Sequence, residues 1–581
     1  MRSILALLLL ARLAAAEPEF PLTEDSKPQP NVPKGTLLKD NYAAQEGSVF
    51  PGTGREYQIY LPHGFDKTKP APFMVFQDGV IYQAPVVFDN LIAKKDIPPL
   101  VGIFIKPGVV PAANDNALPR FNRSYEYDSV TDTYSRFLLD EFLPAIEAKH
   151  GIQLSADPNQ AAIAGNSSGG ICAFMAAWHR HDRFRRVFTG VGTYVGIRGA
   201  DQLPVLVRKF EPKPLRVFLQ SGTGDNNLYC GDWWMANQMM ERSLTWAGYD
   251  VNHAWGEGGH NQKHASQVFP DALRWLWRDW QTDIEVKANP KGDSKWRGYE
   301  VVGEGGWEMV GGSYRFTGAR ALASNRSGEV LIIDEVRDFL HLMSSEGSLP
   351  TNALKVSGPI CADWLPDGHI ALGCRHPEKG TQIVKMDRNG RSSPLSGDHP
   401  LPAAVQSIAV DHKGIIFYAA ADSAIWRITS TEPEALTVPW EGEHADPPCS
   451  RIVFCPDQTQ ILGIESGVSS FQIKEDRMIG SGQEFYLLEN HEIAWPIGGL
   501  CVDTNGWLYV ATSLGIQVLD QAGRVNFIIP TPKQPHDVCF GGKDLRELFI
   551  ACGDESYKRP TKAKGVVSGQ QAPIKPPPPK L

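Results

Sequence analysis

A serine stands between two glycines in Gly165-Asn166-Ser167-Ser168-Gly169, where a short apolar run gives way to a segment of helix-forming composition. This Gly-x-Ser-x-Gly spacing is typical of a nucleophile elbow, a tight strand-to-helix turn that raises one serine above a sheet. Gly165 and Gly169 keep the turn free of colliding side chains. Ser167 is therefore the candidate nucleophile, and the Ser168 amide would face a developing oxyanion. The alternative is a glycine-rich loop without chemistry.

A carboxylate and an imidazole follow two later predicted strands. Asp225 lies in a glycine-containing loop after one of them, and His260 lies in a glycine-rich loop after the other. The chain order serine, aspartate, histidine is expected for a serine hydrolase on such a sheet. His260 would accept the Ser167 proton, and Asp225 would orient the imidazole. The sequence also contains alternatives: Asp232 for the acid, and His253 or His264 for the base.

A second oxyanion donor is expected in the loop after the apolar run 73–76. That loop contains Gly79 and Val80, and the backbone amide of either residue could serve.

Short apolar runs alternate with helical patterns through the first half of the chain. Six of these runs predict strands, and 131–150 has helical periodicity. The strand runs are 55–62, 72–79, 100–105, the run 161–164 before the elbow, 215–220 and 249–255. Alternation of this kind indicates an α/β layer with a mostly parallel sheet.

Composition limits the classes of partner. The 581 residues carry a net charge of −9 without a basic stripe, which argues against a nucleic-acid partner. Nine cysteines are an odd number, so at least one is unpaired within the chain. A Cys172–Cys230 disulfide is left open.

The first 16 residues have a charged start, an apolar core and a small-residue end, which predicts a cleaved secretory signal. The mature protein would then be secreted or periplasmic, with no membrane span. Residues 17–45 are rich in proline, lysine and other charged residues and are predicted to be an extended leader before a domain at 46–285.

These motifs together resemble the esterase family that includes enterochelin esterase and the feruloyl and acetylxylan esterases of carbohydrate esterase family 1. The resemblance covers about 30–282 and rests on segments in the right order: 75–79, 122–128, 165–170, 197–199, 218–222, 237–238, 256–260 and 274–277. It implies an α/β-hydrolase fold and metal-free, cofactor-free hydrolysis of a small-molecule or polysaccharide ester of feruloyl or acetyl type. Ser167, Asp225 and His260 fall on the family's triad positions.

The resemblance also suggests pocket residues. Arg123 and Glu126 match the family's Arg-x-x-Glu-Tyr segment and are expected to form an ion pair at the pocket rim. Val80 stands where members often have glycine, and Ser221 where they often have aspartate. Three further residues are pocket candidates: Asp78, Asn166 and Arg198.

The second half changes to short strands separated by Asp-Gly, Asn-Gly and Lys-Gly turns, recurring about every 40 to 50 residues. This predicts a propeller of about six blades over 306–557, after a linker at 286–305. A proline- and lysine-rich tail, 558–581, is predicted to be disordered.

The propeller segment resembles the gluconolactonase (regucalcin-like) family in 503–512, 515–518 and 540–544. That family holds a divalent cation on the propeller axis with acidic and asparagine side chains. Its ligands look replaced here at three places: 317–320, 448–451 and 498–499. The leading hypothesis is therefore a secreted serine esterase with a propeller that has lost its metal ligands. The alternatives are a metal-dependent lactonase acting from the propeller and a non-catalytic binding protein.

Overall fold

The computed structural model describes residues 20–286, 296–350, 353–378, 380–395, 401–422, 424–429, 433–436, 450–465, 467–474, 482–489 and 497–579. The predicted signal peptide lies outside the described residues. The chain forms two compact units, Met1–Arg208 with Pro212–Lys295 and Lys209–Glu211 with Trp296–Leu581. In the described parts of both, no helix is long and apolar enough to cross a membrane.

The described part of the first unit contains twelve strands. They are β1 (Thr36–Ala43), β2 (Gly54–Leu61), β3 (Phe73–Gln77), β4 (Val101–Ile105), β5 (Val109–Val110), β6 (Arg120–Phe121), β7 (Ala161–Asn166), β8 (Arg186–Gly190), β9 (Arg216–Gly224), β10 (Asn227–Leu228), β11 (Gly231–Asp232) and β12 (Asp250–Gly259).

Ten of these strands form one sheet in the order β12-β9-β8-β7-β3-β4-β2-β5-β6, with β1 paired to β2. The run from β12 to β4 is parallel, and β2 joins β4 in antiparallel orientation. Strands β3, β4, β7 and β8 are buried along their whole length, as expected for a parallel sheet covered on both faces. The α/β fold predicted from the sequence is confirmed.

Helices cover the sheet. They are α1 (Ala84–Lys94), α2 (Arg123–Tyr127), α3 (Thr133–Arg136), α4 (Leu143–His150), α5 (Ser168–His179), α6 (Leu203–Lys209), α7 (Trp233–Ala247) and α8 (Lys263–Trp277). The predicted helix 131–150 comprises α3, a π-helical stretch at Phe137–Phe142 and α4. A buried cluster joins β3 to α1 and α8 through Phe76, Phe88 and Phe269.

The leader prediction is wrong for the residues that form β1. Thr36–Ala43 pairs with β2 over eight residues, from Thr36 opposite Leu61 to Ala43 opposite Gly54. Pairing with β2 satisfies the backbone N–H and C=O groups of β1. The composition of this segment does not reveal that partner. The Cys172–Cys230 disulfide that the sequence left open is not formed, since both residues are free thiols.

The second unit forms six four-stranded antiparallel sheets among its described residues, which confirms the predicted propeller. Their strands are β13 (Glu308–Met309), β14 (Ala319–Ser324), β15 (Val330–Asp334), β16 (Phe339–Met343), β17 (Leu354–Lys355), β18 (Pro359–Trp364), β19 (Ile370–His376), β20 (Gly380–Met386), β21 (Ser392–Pro394), β22 (Val405–Val410), β23 (Ile416–Ala420), β24 (Ile425–Ile428), β25 (Pro433–Ala435), β26 (Arg451–Phe454), β27 (Gln460–Ile464), β28 (Val468–Gln472), β29 (Gln483–Tyr486), β30 (Leu500–Val502), β31 (Leu508–Thr512), β32 (Gly515–Leu519), β33 (Val525–Ile529), β34 (Asp537–Gly541), β35 (Glu547–Ala551) and β36 (Ser556–Pro560).

The ends of this unit close the propeller. Strand β13 pairs with β36, so the last blade combines one strand from the start of the unit with three from its end. Two boundary predictions are therefore wrong. Trp296, Val301 and Val302 of the predicted linker belong to the propeller core. The predicted tail begins inside β36, and the Ile574 amide donates a 2.8 Å hydrogen bond to the Pro456 carbonyl.

Candidate active site

The turn between β7 and α5 presents Ser167. Its backbone lies at φ 59° and ψ −123°, a conformation that non-glycine residues adopt only where the surroundings impose it. A Cβ on Gly165 would lie 2.0 Å from the Gly169 carbonyl oxygen, so only glycine fits there. A Cβ on Gly169 would lie 3.1 Å from both Asp78 and Gln77, which is tight but less severe. The strained turn lifts Ser167 out of the sheet at the carboxyl end of β7.

Three side chains from separate strand ends form a hydrogen-bonded chain. His260 follows β12, and its Nε2 lies 2.7 Å from the Ser167 Oγ. Its Nδ1 lies 2.6 Å from Oδ1 of Asp225, which follows β9. The sequence-predicted serine, histidine and aspartate therefore meet at one edge of the sheet. Parallel strands bring their carboxyl ends to the same edge, which explains why residues so far apart in sequence converge.

Asp225 is held by more than the histidine. Its side chain is fully buried, and its other carboxylate oxygen accepts a 2.7 Å hydrogen bond from the Ser221 hydroxyl. The Asn226 amide donates to Oδ1 at 2.8 Å. These donors fix the carboxylate so that it faces Nδ1 of His260. Ser221 thus contributes a hydrogen bond at the position where the family often has aspartate.

The rival residues lie in other surroundings. Asp232 accepts the Met235 amide at 3.0 Å and so caps α7. The His253 ring stacks on Trp255. His264 is buried, and its Nδ1 lies 3.0 Å from the Gln220 side-chain nitrogen.

The loop after β3 supplies backbone amides beside the elbow. Asp78 and Gly79 have φ values of 67° and 83°, which turn the chain sharply at the end of β3. The Gly79 amide donates to the Ile105 carbonyl at 3.1 Å, so this amide is already used. The amides of Val80 and Ser168 have no acceptor among the described residues. Of the two loop residues predicted as the second oxyanion donor, Val80 is therefore the remaining candidate.

The predicted ion pair between Arg123 and Glu126 does not form. Arg123 instead holds Asp78 through two hydrogen bonds of 2.7 and 2.8 Å, and the carboxylate raises the pKa of Arg123. Glu126 pairs with Arg55 in the interior. On the short helix α2, these two side chains face different partners because Glu126 is buried and Arg123 is half-exposed.

The other pocket candidates take different positions. The Asn166 side chain accepts a 3.1 Å hydrogen bond from the buried Tyr82 hydroxyl and so braces the elbow. Arg198 is exposed, with its guanidinium 5.4 Å from the centre of the Tyr125 ring.

Sequence reasoning missed two neighbours of the candidate triad. The Thr193 hydroxyl lies 3.4 Å from the Ser167 Oγ and accepts a hydrogen bond from the Trp233 indole at 3.2 Å. The Trp233 ring also meets the His260 ring edge to face, with centres 5.5 Å apart. No motif marks either residue, because both come from loops and helix starts that only the fold brings together.

Comparison with known proteins gives one family match in each of the two units. Residues 48–276 match the family described as "Putative esterase", and residues 452–553 match the "SMP-30/Gluconolactonase/LRE-like region". The chain joins an esterase-family segment to a gluconolactonase-like segment. Both resemblances predicted from the sequence are confirmed.

The relatives cover parts of the chain. An iron(III) enterobactin esterase from Dickeya dadantii (strain 3937) is 30% identical over 152 residues, which are 24% of this chain and 33% of that protein. Regucalcin from Gallus gallus is 35% identical over 85 residues, which are 14% of this chain and 28% of that protein. An enterobactin esterase structure from Shigella flexneri gives a TM-score of 0.34 at 19% identity, covering 44% of this chain and 62% of that one. The chain thus spans a third or less of the length of these two curated relatives.

The gluconolactonase-like unit has a cavity on its axis. The first strands of neighbouring blades contact one another in a closed ring, and every blade contributes to a space of about 430 Å³. The described residues that line this axial cavity are Arg320, Glu335, Ile360, Arg375, Gln406, Ser450, Arg451, Ile497, Gly498, Gln534, Pro535 and His536.

The donor set of the axial cavity does not fit a divalent cation. Residues Arg320, Arg451 and Gly498, from the three places where the sequence departs from the family, all line it. Guanidinium groups donate hydrogen bonds and repel cations. A Cβ on Gly498 would lie 2.5 Å from the His536 carbonyl oxygen, so no ligand side chain fits there. Among the described residues, no cluster of three His, Cys, Asp or Glu is placed to hold a metal.

Proposed function

We propose that the first unit is a serine esterase that hydrolyses carboxylic esters through an acyl-enzyme on Ser167. The observation that carries this proposal is the continuous hydrogen-bonded chain from Ser167 through His260 to Asp225, at 2.7 and 2.6 Å. Its elbow glycines and strand-end loops are those that an exposed nucleophile requires.

The geometry supports a two-step mechanism. His260 accepts the Ser167 proton through Nε2 as Oγ attacks the ester carbonyl carbon. Asp225 keeps the Nδ1 proton on the imidazole and stabilises the imidazolium that forms. The amides of Ser168 and Val80 would donate to the oxyanion of the tetrahedral intermediate.

Collapse of this intermediate releases the alcohol, which takes its proton from His260 and leaves the acyl group on Ser167. Water then gives a proton to His260 and attacks the acyl carbon. The second tetrahedral intermediate breaks the bond to Oγ, returns the proton to Ser167 and releases the carboxylic acid.

The substrate we propose is a small-molecule or polysaccharide ester with an acetyl or aryl-acyl group. Support comes from the esterase-family match and from the names of the relatives, which include an enterobactin esterase. We also propose export to a secreted or periplasmic location, on the signal-like pattern of residues 1–16. Sequencing the amino terminus of the mature protein tests export, and a start at Glu17 is expected.

Hydrolysis of p-nitrophenyl acetate by the full chain tests the reaction. Ser167→Ala should reduce kcat/KM by at least about a thousandfold. A fluorophosphonate probe should label Ser167 in the wild-type protein and leave Ser167→Ala unlabelled. Activity should be unchanged by EDTA.

Ser155→Ala is the matched control. Ser155 lies at the opposite edge of the sheet, where its amide donates to the Ala71 carbonyl before β3. This variant should keep wild-type activity within about twofold. Hydrolysis that survives Ser167→Ala and is lost with EDTA would instead assign the chemistry to a metal-dependent lactonase.

A further inference from the structure

The axial cavity of the propeller presents guanidinium groups from three blades. Arg320 lies on β14, Arg375 on β19 and Arg451 at the start of β26. Arg320 and Arg375 share one carboxylate, Glu335, at 4.0 and 3.1 Å. Their side chains nevertheless remain 60% and 62% exposed, so both heads are open to a ligand in the cavity.

Arg451 is positioned by a carboxylate that lies outside the cavity lining. It pairs at 3.1 Å with Asp537, whose side chain is only 6% exposed and does not line the cavity. Asp537 also accepts the amides of Leu322 and Val538, each at 2.8 Å. This carboxylate orients Arg451 and balances its charge.

The lining therefore has an excess of positive charge. Among the described residues, Arg320 and Arg375 face one lining carboxylate, Glu335, while Arg451 is paired with Asp537. Burial and the neighbouring charge of Arg320 lower the pKa of His536, which disfavours the charged form of that imidazole. Gln406, Gln534 and Ser450 add neutral hydrogen-bonding groups.

We propose that the axial cavity binds a small organic carboxylate through Arg320 and Arg375. A guanidinium presents two parallel N–H groups that match the two oxygens of a carboxylate. A volume of about 430 Å³ lies within the range of small-molecule sites. The same arginines that exclude a cation thus build an anion site, and this assignment does not depend on the proposed ester hydrolysis.

Isothermal titration calorimetry of the full chain tests the site. Benzoate and citrate are the carboxylate probes, and benzamide is the neutral match for benzoate. At least one carboxylate should bind at one site per chain with a Kd below about 1 mM, and benzamide should not bind. Inorganic phosphate and sulfate are titrated under the same conditions and should bind more weakly.

Substitutions locate the binding. Arg320→Gln and Arg375→Gln should each weaken carboxylate binding by about tenfold or more, because each removes one guanidinium. Arg375→Lys keeps the charge without the paired N–H groups and should bind with intermediate affinity. Arg388→Gln is the matched control, since half-exposed Arg388 pairs with Glu329 outside the axial cavity and its loss should leave affinity unchanged.

Three results would overturn the proposal. The first is that neither carboxylate binds, and the second is that binding survives the double variant Arg320→Gln/Arg375→Gln. The third is that phosphate or sulfate binds more tightly than both carboxylates, which would assign the cavity to tetrahedral anions. Circular dichroism and thermal unfolding of each variant show that the propeller remains folded, so that lost binding reports on the site.

Discussion

Arg55 and Glu126 lie 71 residues apart in the chain and form a two-point ion pair, at 2.8 and 3.1 Å, with both side chains fully buried. The pair ties β2 to α2, the short helix that also carries Arg123. The Thr53 hydroxyl accepts from Arg55, and the Gly108 amide donates to Glu126. The network therefore anchors the segment whose arginine, Arg123, holds the loop beside Ser167, the proposed nucleophile.

Breaking this pair should destabilise the first unit. Arg55→Met leaves the Glu126 carboxylate buried without its cation, which should lower the free energy of unfolding by about 3–5 kcal/mol. Urea unfolding followed by tryptophan fluorescence measures the change. Lys106→Met is the control, since the Lys106–Glu56 pair is exposed and its loss should cost at most about 1 kcal/mol. Equal effects of the two substitutions would contradict the structural role of the buried pair.

Asp225 and Asp232 offer a second paired test. Asp225→Asn should reduce kcat/KM on p-nitrophenyl acetate by roughly a thousandfold or more, because an amide beside Nδ1 favours the wrong tautomer of His260. Asp232→Asn should retain activity within about threefold, because Asp232 caps α7 and asparagine also caps a helix. If the two variants lost activity equally, the acid would have to be reassigned.

The elbow makes a steric prediction. Gly165→Ala places a methyl group 2.0 Å from the Gly169 carbonyl oxygen, so the turn must open and Ser167 must move away from His260. We expect at least about a hundredfold loss of kcat/KM, since small misplacement of a reacting group has effects of this size. Gly54→Ala is the control, because its Cβ would meet nothing within 4 Å. Wild-type activity in Gly165→Ala would show that the turn is less constrained than the structure indicates.

Sequence reasoning is most informative where the signal is local. The elbow motif and the glycine-rich loops at strand ends identified Ser167, Asp225 and His260, which the structure brings within hydrogen-bonding distance. It failed where the outcome depends on partners distant in the chain. Arg123 and Glu126 are three residues apart, yet Arg123 pairs with Asp78 and Glu126 with Arg55.

The chain ends show the same limit. Composition predicted that the leader and the tail lie outside both domains, because proline and lysine disfavour packing. In the structure, β1 and β36 are paired strands, and β36 closes the propeller with β13. Strand pairing of this kind depends on an available edge elsewhere in the fold, which no local pattern reveals.

Asp503 should make the stability of the propeller depend on pH. Its side chain is fully buried, and burial raises its pKa from 3.8 to about 6. Between these values the folded protein keeps a proton that the unfolded chain releases, so stability falls as pH rises through this window. Above about pH 6 Asp503 is ionised in both the folded and the unfolded state, and the full free-energy cost of burying its charge remains.

Asp503→Asn removes this penalty and keeps the two hydrogen bonds from backbone amides, while the bond with Tyr509 reverses direction. The Oδ1 of Asp503 accepts the amides of Asn505 and Trp507, and its Oδ2 accepts the Tyr509 hydroxyl. An asparagine can accept both amides through its oxygen and donate to the Tyr509 oxygen through its nitrogen. The variant should match wild type near pH 4 and exceed it at pH 7.5 by about 2–3 kcal/mol in urea unfolding.

Asp520→Asn is the matched control, with the opposite sign. Asp520 occupies an equivalent turn and accepts the amides of Ala522 and Arg524. Burial raises the pKa of Asp520, but hydrogen bonds from Asn526 and Arg524 outweigh it, and the pKa is lowered. The ionised form of Asp520 therefore stabilises the fold above the unfolded pKa of 3.8. That stabilisation is lost as pH falls through the lowered folded pKa. Asp520→Asn should therefore destabilise the propeller at pH 7.5 where Asp503→Asn stabilises it, and effects of the same sign would contradict the assigned environments.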